Sequence, residues 1–226
     1  MRKPKIRLFV GGPDFHPAKQ QAELVQKWFG KNWKDSQLVD GRDCFLGLDD
    51  CDLLVMVGGQ FTYQKDGGME YLPLEKNHLE GFRRYVASGK PLLLHHASVA
   101  SYNDTPEFGA LLGIQWIWGE TTHPAMAEYC MRVQPTGHPV VAGLEDYVLY
   151  DELYYKLKID SSIHPETHAT AWFDGQKWPM LITGQGGRGV DGAGKVAYIC
   201  NGHDLRATDT PAMKKIWGNS IQWLLT

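Results

Sequence analysis

The sequence predicts one α/β domain built on a doubly wound, mostly parallel sheet, with its polar site beyond the carboxyl ends of the strands. Three observations predict this. Short apolar runs at residues 6–10, 53–57 and 92–94 alternate with segments of helical periodicity, the pattern of strands joined by right-handed crossovers. Each run stops at a residue suited to a turn or to chemistry: Gly11-Gly12, Gly58-Gly59 and His95-His96. From Tyr129 onwards the pattern changes to strand alternation, so antiparallel strands are added to the parallel core.

Taken in order, residues 6–10 form a buried strand that Gly11-Gly12-Pro13 ends, and residues 17–29 an amphipathic helix, the first βα unit. A helix over 74–87 lies between the runs at 53–57 and 92–94, and a short helix covers 106–112. Strands follow at 129–133, 147–150, 168–172, 180–182 and 196–200. The last helix has Thr210 as N-cap and Pro211 at its first position, with Met213, Ile216, Trp217, Ile221 and Leu224 on one face. No repeat, low-complexity tract or linker interrupts residues 1–226, which read as a single domain.

Hydrophobic residues make up 43% of the chain and charged ones 22%, enough apolar material for one sizeable core. A net charge of -3 without a run of like charges argues against nucleic acid and anionic membranes as partners, leaving a small molecule. The apolar segment at 6–10 is too short for a signal sequence or a membrane span, so a cytoplasmic protein is expected. Cys44, Cys51, Cys130 and Cys200 contain no C-x-x-C pair and read as reduced thiols. In that compartment the sequon Asn103-Asp104-Thr105 would go unused. The oligomeric state is open, a homo-oligomer included.

Gly184-Gln185-Gly186-Gly187-Arg188-Gly189 matches G-x-G-x-x-G, but a strand follows it rather than a helix, so a hairpin turn is expected and not a dinucleotide site. His164 and His168 are four apart, yet Pro165 denies them a shared helix face, and both are expected in loops or at the surface. His138, before Pro139, is expected to cap a turn. The histidines at strand ends are the candidates for chemistry: His95-His96, His123 and His203-Asp204, joined by Asp151-Glu152. Converging from different strands, they could supply metal ligands or acid/base groups. Trp116, Trp118, Tyr154 and Trp172 could stack on sugar faces or pack in the core, while Trp217 and Trp223 are assigned to packing.

The order of these motifs resembles the ThuA-like family, named for trehalose utilisation, within the class I glutamine-amidotransferase-like superfamily. The resemblance is carried by Leu94-His95-His96-Ala97, Pro106-Glu107-Phe108 with Leu111-Leu112-Gly113, His123-Pro124, His138-Pro139-Val140-Val141-Ala142-Gly143-Leu144, Asp151-Glu152-Leu153-Tyr154, Gly194-Lys195-Val196-Ala197-Tyr198 and Gly202-His203-Asp204. It implies a flavodoxin-like sheet and a place in glucoside or disaccharide catabolism, on sugars oxidised at C3.

Glutamine hydrolysis is not expected. Amidotransferases of this fold carry a cysteine in the strand-to-helix turn, where this chain has His95-His96-Ala97-Ser98, and Ser98 lies in no G-x-S-x-G elbow. In a 3-keto-glucoside the carbonyl acidifies the C2 proton, so a base could start loss of the C1 substituent or an isomerisation. His95, Glu152 and His203 are the expected catalytic residues, with His123 a further base candidate. His96, Trp118, Asp151, Tyr154 and Asp204 are the expected substrate contacts. The cofactor is open, a divalent metal on His95, His123 and His203 being the candidate. The competing readings are a non-catalytic sugar-binding or assembly protein on the same scaffold and an unrelated metal-dependent hydrolase.

Overall fold

The computed structural model describes residues 2–30, 36–63 and 70–226. Its strands are β1 (Ile6–Val10), β2 (Gln37–Asp40), β3 (Leu53–Met56), β4 (Leu92–His95), β5 (Ile114–Gln115), β6 (Ala127–Val133), β7 (Tyr147–Asp151), β8 (Lys158–Ile159), β9 (Glu166–Phe173), β10 (Gln176–Gln185) and β11 (Lys195–Ile199). Nine of them form one sheet in the order β2-β1-β3-β4-β11-β10-β9-β6-β7, and β5 and β8 form a small antiparallel pair. From β2 to β11 the neighbours are parallel; from β11 to β7 they are antiparallel.

Every residue of β3 and β4 is buried, as expected of strands covered on both faces. One face carries α1 (Ala18–Phe29) and α5 (Pro211–Leu224). The other carries α2 (Lys76–Ala87) and α3 (Pro106–Leu112), where Phe45, Phe82 and Phe108 pack with ring centroids 4.8–5.2 Å apart. The α1 residues Ala18, Gln21, Ala22 and Val25 are buried, which is the i, i+3, i+4, i+7 stripe of a helix lying on a sheet. Thr210 caps α5 by accepting from the Met213 N–H at 3.2 Å. Four residues, Leu205–Thr208, form a short α4. Among the described residues no helix is long and apolar enough to cross a membrane.

The Gly-rich segment 184–189 is a hairpin connection between β10 and β11, with Gly186, Gly187, Arg188 and Gly189 all at positive φ. His164 is exposed as expected, but His168 corrects the sequence reading. It sits within β9, fully buried, because its ring nitrogens meet the Thr136 and Thr183 hydroxyls at 3.0 and 2.7 Å.

β7 is four strands from β11, about 19 Å in a flat sheet at ~4.8 Å per strand. Yet the Asp151 carboxylate at its end accepts from the Gly202 N–H, just past β11, at 2.8 Å. The register shifts in β10 at Pro179/Leu181 and Leu181/Ile182 supply local twist. Together with the loop after β11, that curl folds the antiparallel half over the C-terminal edge of the parallel half.

Candidate functional site

At the end of β4 the chain makes a sharp 3-10 turn, His96–Ala100, with His96 at φ 41°. A non-glycine residue in the left-handed region costs about 1–3 kcal/mol unless its surroundings hold it there. Here the Tyr198 hydroxyl donates to the His96 carbonyl at 3.2 Å, and the Ser98 hydroxyl accepts from the His95 N–H at 3.0 Å. The kink sends the two adjacent rings to different places. The His95 ring stays in the core, 5.0 Å from the Trp217 ring, and a Cβ on Gly202 would lie only 2.1 Å from its Nε2, so only glycine fits there. The His96 ring turns up into the crevice, with its Nδ1 2.8 Å from the Cys200 carbonyl. A carbonyl only accepts, so Nδ1 carries a hydrogen and Nε2 is the nitrogen turned to the crevice, a lone pair in the neutral ring and an N–H in the charged one.

That lone pair lies 3.6 Å from Glu152 Oε2. His203 Nδ1 approaches the same oxygen at 3.0 Å, and His123 Nδ1 reaches Oε1 at 3.5 Å while also lying 3.0 Å from the Pro124 carbonyl. His16, from the loop after β1, completes the group. Its ring is 5.1 Å from His96 and 4.7 Å from His203, and its Nε2 is 3.3 Å from the Tyr154 hydroxyl. Tyr154 lies beside His96 with centroids 4.1 Å apart. One donor atom each from His16, His96, Glu152 and His203 lie within 4.8 Å of one another. His16 Nδ1 and His96 Nε2 are buried without a hydrogen-bond partner.

Asp151 holds this arrangement in place. Fully buried, it accepts from the N–H groups of Gly202 and His203 at 2.8 and 2.9 Å, from the Asn201 amide at 3.2 Å and from the Glu152 N–H at 2.9 Å. The segment carrying Trp116 to His123 is fixed by β5–β8 pairing and by the two backbone bonds between Thr122 and Tyr155.

The charges follow the burial. Burial, with His96 and His203 adding to it, pushes His16 well below the ordinary histidine value. Burial would raise the Glu152 carboxyl, but His203 and His96 outweigh it and hold the group far below the carboxylate range. Burial lowers His203, yet Glu152 more than offsets this and the imidazole titrates above its ordinary value. Burial raises Asp151 and drops His95 to about 3.

Of the residues expected from sequence, the structure brings Glu152, His203, His96 and Tyr154 together, with His123 at the rim, 37% exposed. His95 is corrected as catalytic residue and as metal ligand: it lies beneath the cluster, against Trp217. Asp151 and Asp204 are corrected as substrate contacts. The oxygens of Asp151 are taken by the loop they hold, and Asp204 caps α4 and pairs with Arg206. Trp118 is 41% exposed beyond Trp116, their rings 6.0 Å apart. His16 was missed, although it follows β1 and obeys the same rule that singled out the other strand-end histidines. A second group, His138, Glu166 and His168, is poorly suited to a ligand, since His168 is hydrogen-bonded through both nitrogens and His138 Nδ1 accepts from the Val140 N–H at 3.2 Å, the cap expected of it.

A doubly wound α/β protein with a histidine-carboxylate cluster at its strand ends is the class this structure defines. A family model described as ThuA, trehalose utilisation, matches residues 13–224, and the chain belongs to that family. No curated protein matches the chain. Among solved structures it is similar to a ThuA-like protein from Parabacteroides merdae ATCC 43184, with TM-score 0.75 and 19% identity over 99% of this chain and 91% of that one. A ThuA-like protein from Bacteroides uniformis ATCC 8492 gives 0.71 and 14%, over 99% and 93%. A cold-adapted β-galactosidase from Rahnella sp. R3 gives 0.63 and 12%, over 98% of this chain but 31% of that larger one. At these identities the structural likeness defines the fold.

Proposed function

We propose that this member of the trehalose-utilisation family is a cytoplasmic enzyme acting on glucosides or disaccharides oxidised at C3, and that His16, His96, Glu152 and His203 hold a divalent cation. The observation that carries the reading is His96 Nε2, buried without a hydrogen-bond partner and turned toward Glu152. Its Nδ1 is committed to the Cys200 carbonyl, so in the neutral ring Nε2 presents a lone pair 3.6 Å from a carboxylate oxygen. Two acceptors facing each other in a buried site need a cation or a proton between them. Three imidazoles and one carboxylate, with one ring already oriented by a carbonyl, suit a divalent metal such as zinc. Such an ion would supply Lewis acidity toward the keto oxygen.

His123 lies outside the four-donor group, against Glu152 Oε1 and partly open to solvent, and is the base that removes the C2 proton. Loss of that proton followed by departure of the C1 substituent leaves a C1–C2 double bond conjugated with the C3 carbonyl. Water adding at C1 restores the keto-sugar, so the net change is hydrolysis of the glycosidic bond. The proton on His123 is then available to the departing oxygen. The absence of cysteine from the 96–100 turn, and the commitment of the Ser98 hydroxyl to the His95 N–H, argue against glutamine hydrolysis.

Metal analysis of the purified protein, with assays on paired native and 3-keto glucosides, tests this reading. Bound metal and turnover of the oxidised member alone are expected. Cleavage of only the native glucoside overturns it, and sugar binding without turnover by metal-loaded protein favours a non-catalytic binder.

A further inference from the structure

The described surface near the site has one feature that neither cation binding nor proton transfer uses, an exposed pair of aromatic rings. Tyr63 is 57% and Trp118 41% exposed, with centroids 5.9 Å apart and planes 30° apart. Large rings left side by side in water mark a surface kept for a ligand more often than an accident of packing. Phe61, almost fully buried, backs Trp118 from 5.5 Å.

The backbone next to each ring is hydrogen-bonded. The Thr62 N–H donates to the Asn103 side-chain oxygen at 2.9 Å, and the Asn103 amide returns a bond to the Thr62 hydroxyl at 2.9 Å. On the other side, the Ile117 N–H donates to the Thr121 hydroxyl at 2.9 Å, the Thr121 N–H to the Ile117 carbonyl at 2.8 Å, and the Thr121 hydroxyl to the Lys156 carbonyl at 2.9 Å.

The pair is also continuous with the cluster. Trp116 lies 6.0 Å from His123 and 6.0 Å from Trp118, and 4.7 Å from Tyr154. A line of rings therefore runs from His123, the base beside Glu152, through Trp116 to the exposed pair.

We infer that Tyr63 and Trp118 form a stacking subsite for a second sugar ring, so that the site prefers two-ring oxidised glycosides to one-ring ones. This rests on the keto-glycoside reading above. The C–H face of a pyranose offers the apolar surface that an indole or phenol plane accepts, while its hydroxyls stay wet at the ring edge. The subsite acts on affinity, and chemistry stays with the cluster.

Isothermal titration of the metal-loaded protein with trehalose oxidised at one C3, and with methyl 3-keto-α-glucoside, tests the subsite without requiring turnover. In the wild type the two-ring compound should bind more tightly. W118A should weaken the two-ring compound about tenfold more than the one-ring compound, and W118F should restore most of the difference. Equal weakening of both, no weakening of either, or no wild-type preference for the two-ring compound overturns the subsite. E152Q separates the two readings: lost turnover with the wild-type two-ring preference kept supports both, whereas a kept W118A effect with unchanged E152Q turnover sinks the catalytic reading alone.

Discussion

His95 and His96 are neighbours in sequence and are separated in role by one backbone torsion. The left-handed φ of His96 lifts its ring into the crevice and leaves His95 buried against Trp217. His95→Ala should therefore act as a core truncation, lowering unfolding free energy by about 2–4 kcal/mol in urea titration. A turnover loss at full stability would reinstate His95 as a site residue. Asp151→Ala should cost at least about 3 kcal/mol by the same measurement and should also lose turnover, because it leaves four N–H donors, two of them in buried bonds, without their acceptor and releases both Glu152 and His203. His123→Ala, at the exposed rim, should instead lower kcat about 10²–10⁴-fold while the protein still binds metal. At this scale the sequence was half legible. The rule that polar residues follow strands located His96, His203 and Glu152, but it could not say which of two adjacent histidines faces the ligand, since that depends on a strained φ set by Tyr198 and Ser98.

Among the elements, the parallel strands were the most legible, because burial on both faces forces continuous apolar runs such as Leu53–Met56. β2, with the half-exposed pattern of an edge strand, and the two-residue β5 and β8 carry too little periodicity to be seen. β9 shows the same limit in another form: its buried His168 looks like a surface residue until its two hydroxyl partners are known. Burial, with a smaller effect from the nearby His138, drops the His168 pKa from 6.5 to about 4. The folded state then holds this proton less tightly than the unfolded chain does. The stability that neutral His168 contributes is complete above pH 6.5 and is lost as the pH falls toward 4. Glu166, 4.0 Å away and half exposed, only softens the effect. His168→Gln keeps a hydrogen-bonding side chain without the titration, so wild type should lose melting temperature more steeply than the variant between pH 7 and pH 4.5. Parallel pH profiles for the two would remove His168 from the account.

For the molecule as a whole, the site exists only when distant parts of the chain meet. His16 follows β1, His96 follows β4, Glu152 follows β7 and His203 follows β11, and β7 reaches the other three only because the antiparallel half curls over the edge. No window of sequence contains that curl, whereas His16, in the loop after β1, was within reach of the strand-end rule that found its partners. The meeting of distant parts also means that a cation held by the proposed four donors would be tied to global folding: an unfolded chain cannot offer them together, so such binding would stabilise the native state. At a free cation concentration one hundred times Kd the gain is about 2.7 kcal/mol, which for a chain of this size raises Tm on the order of 5–10 °C. Adding zinc to protein stripped with a chelator should produce that rise in the wild type and in His123→Ala. It should produce little in His96→Ala or Glu152→Gln, each of which removes one of the four donors. A zinc-induced rise of the same size in Glu152→Gln would place the cation elsewhere, and the absence of any rise in the wild type would leave Glu152 and its histidines as a proton-sharing group alone.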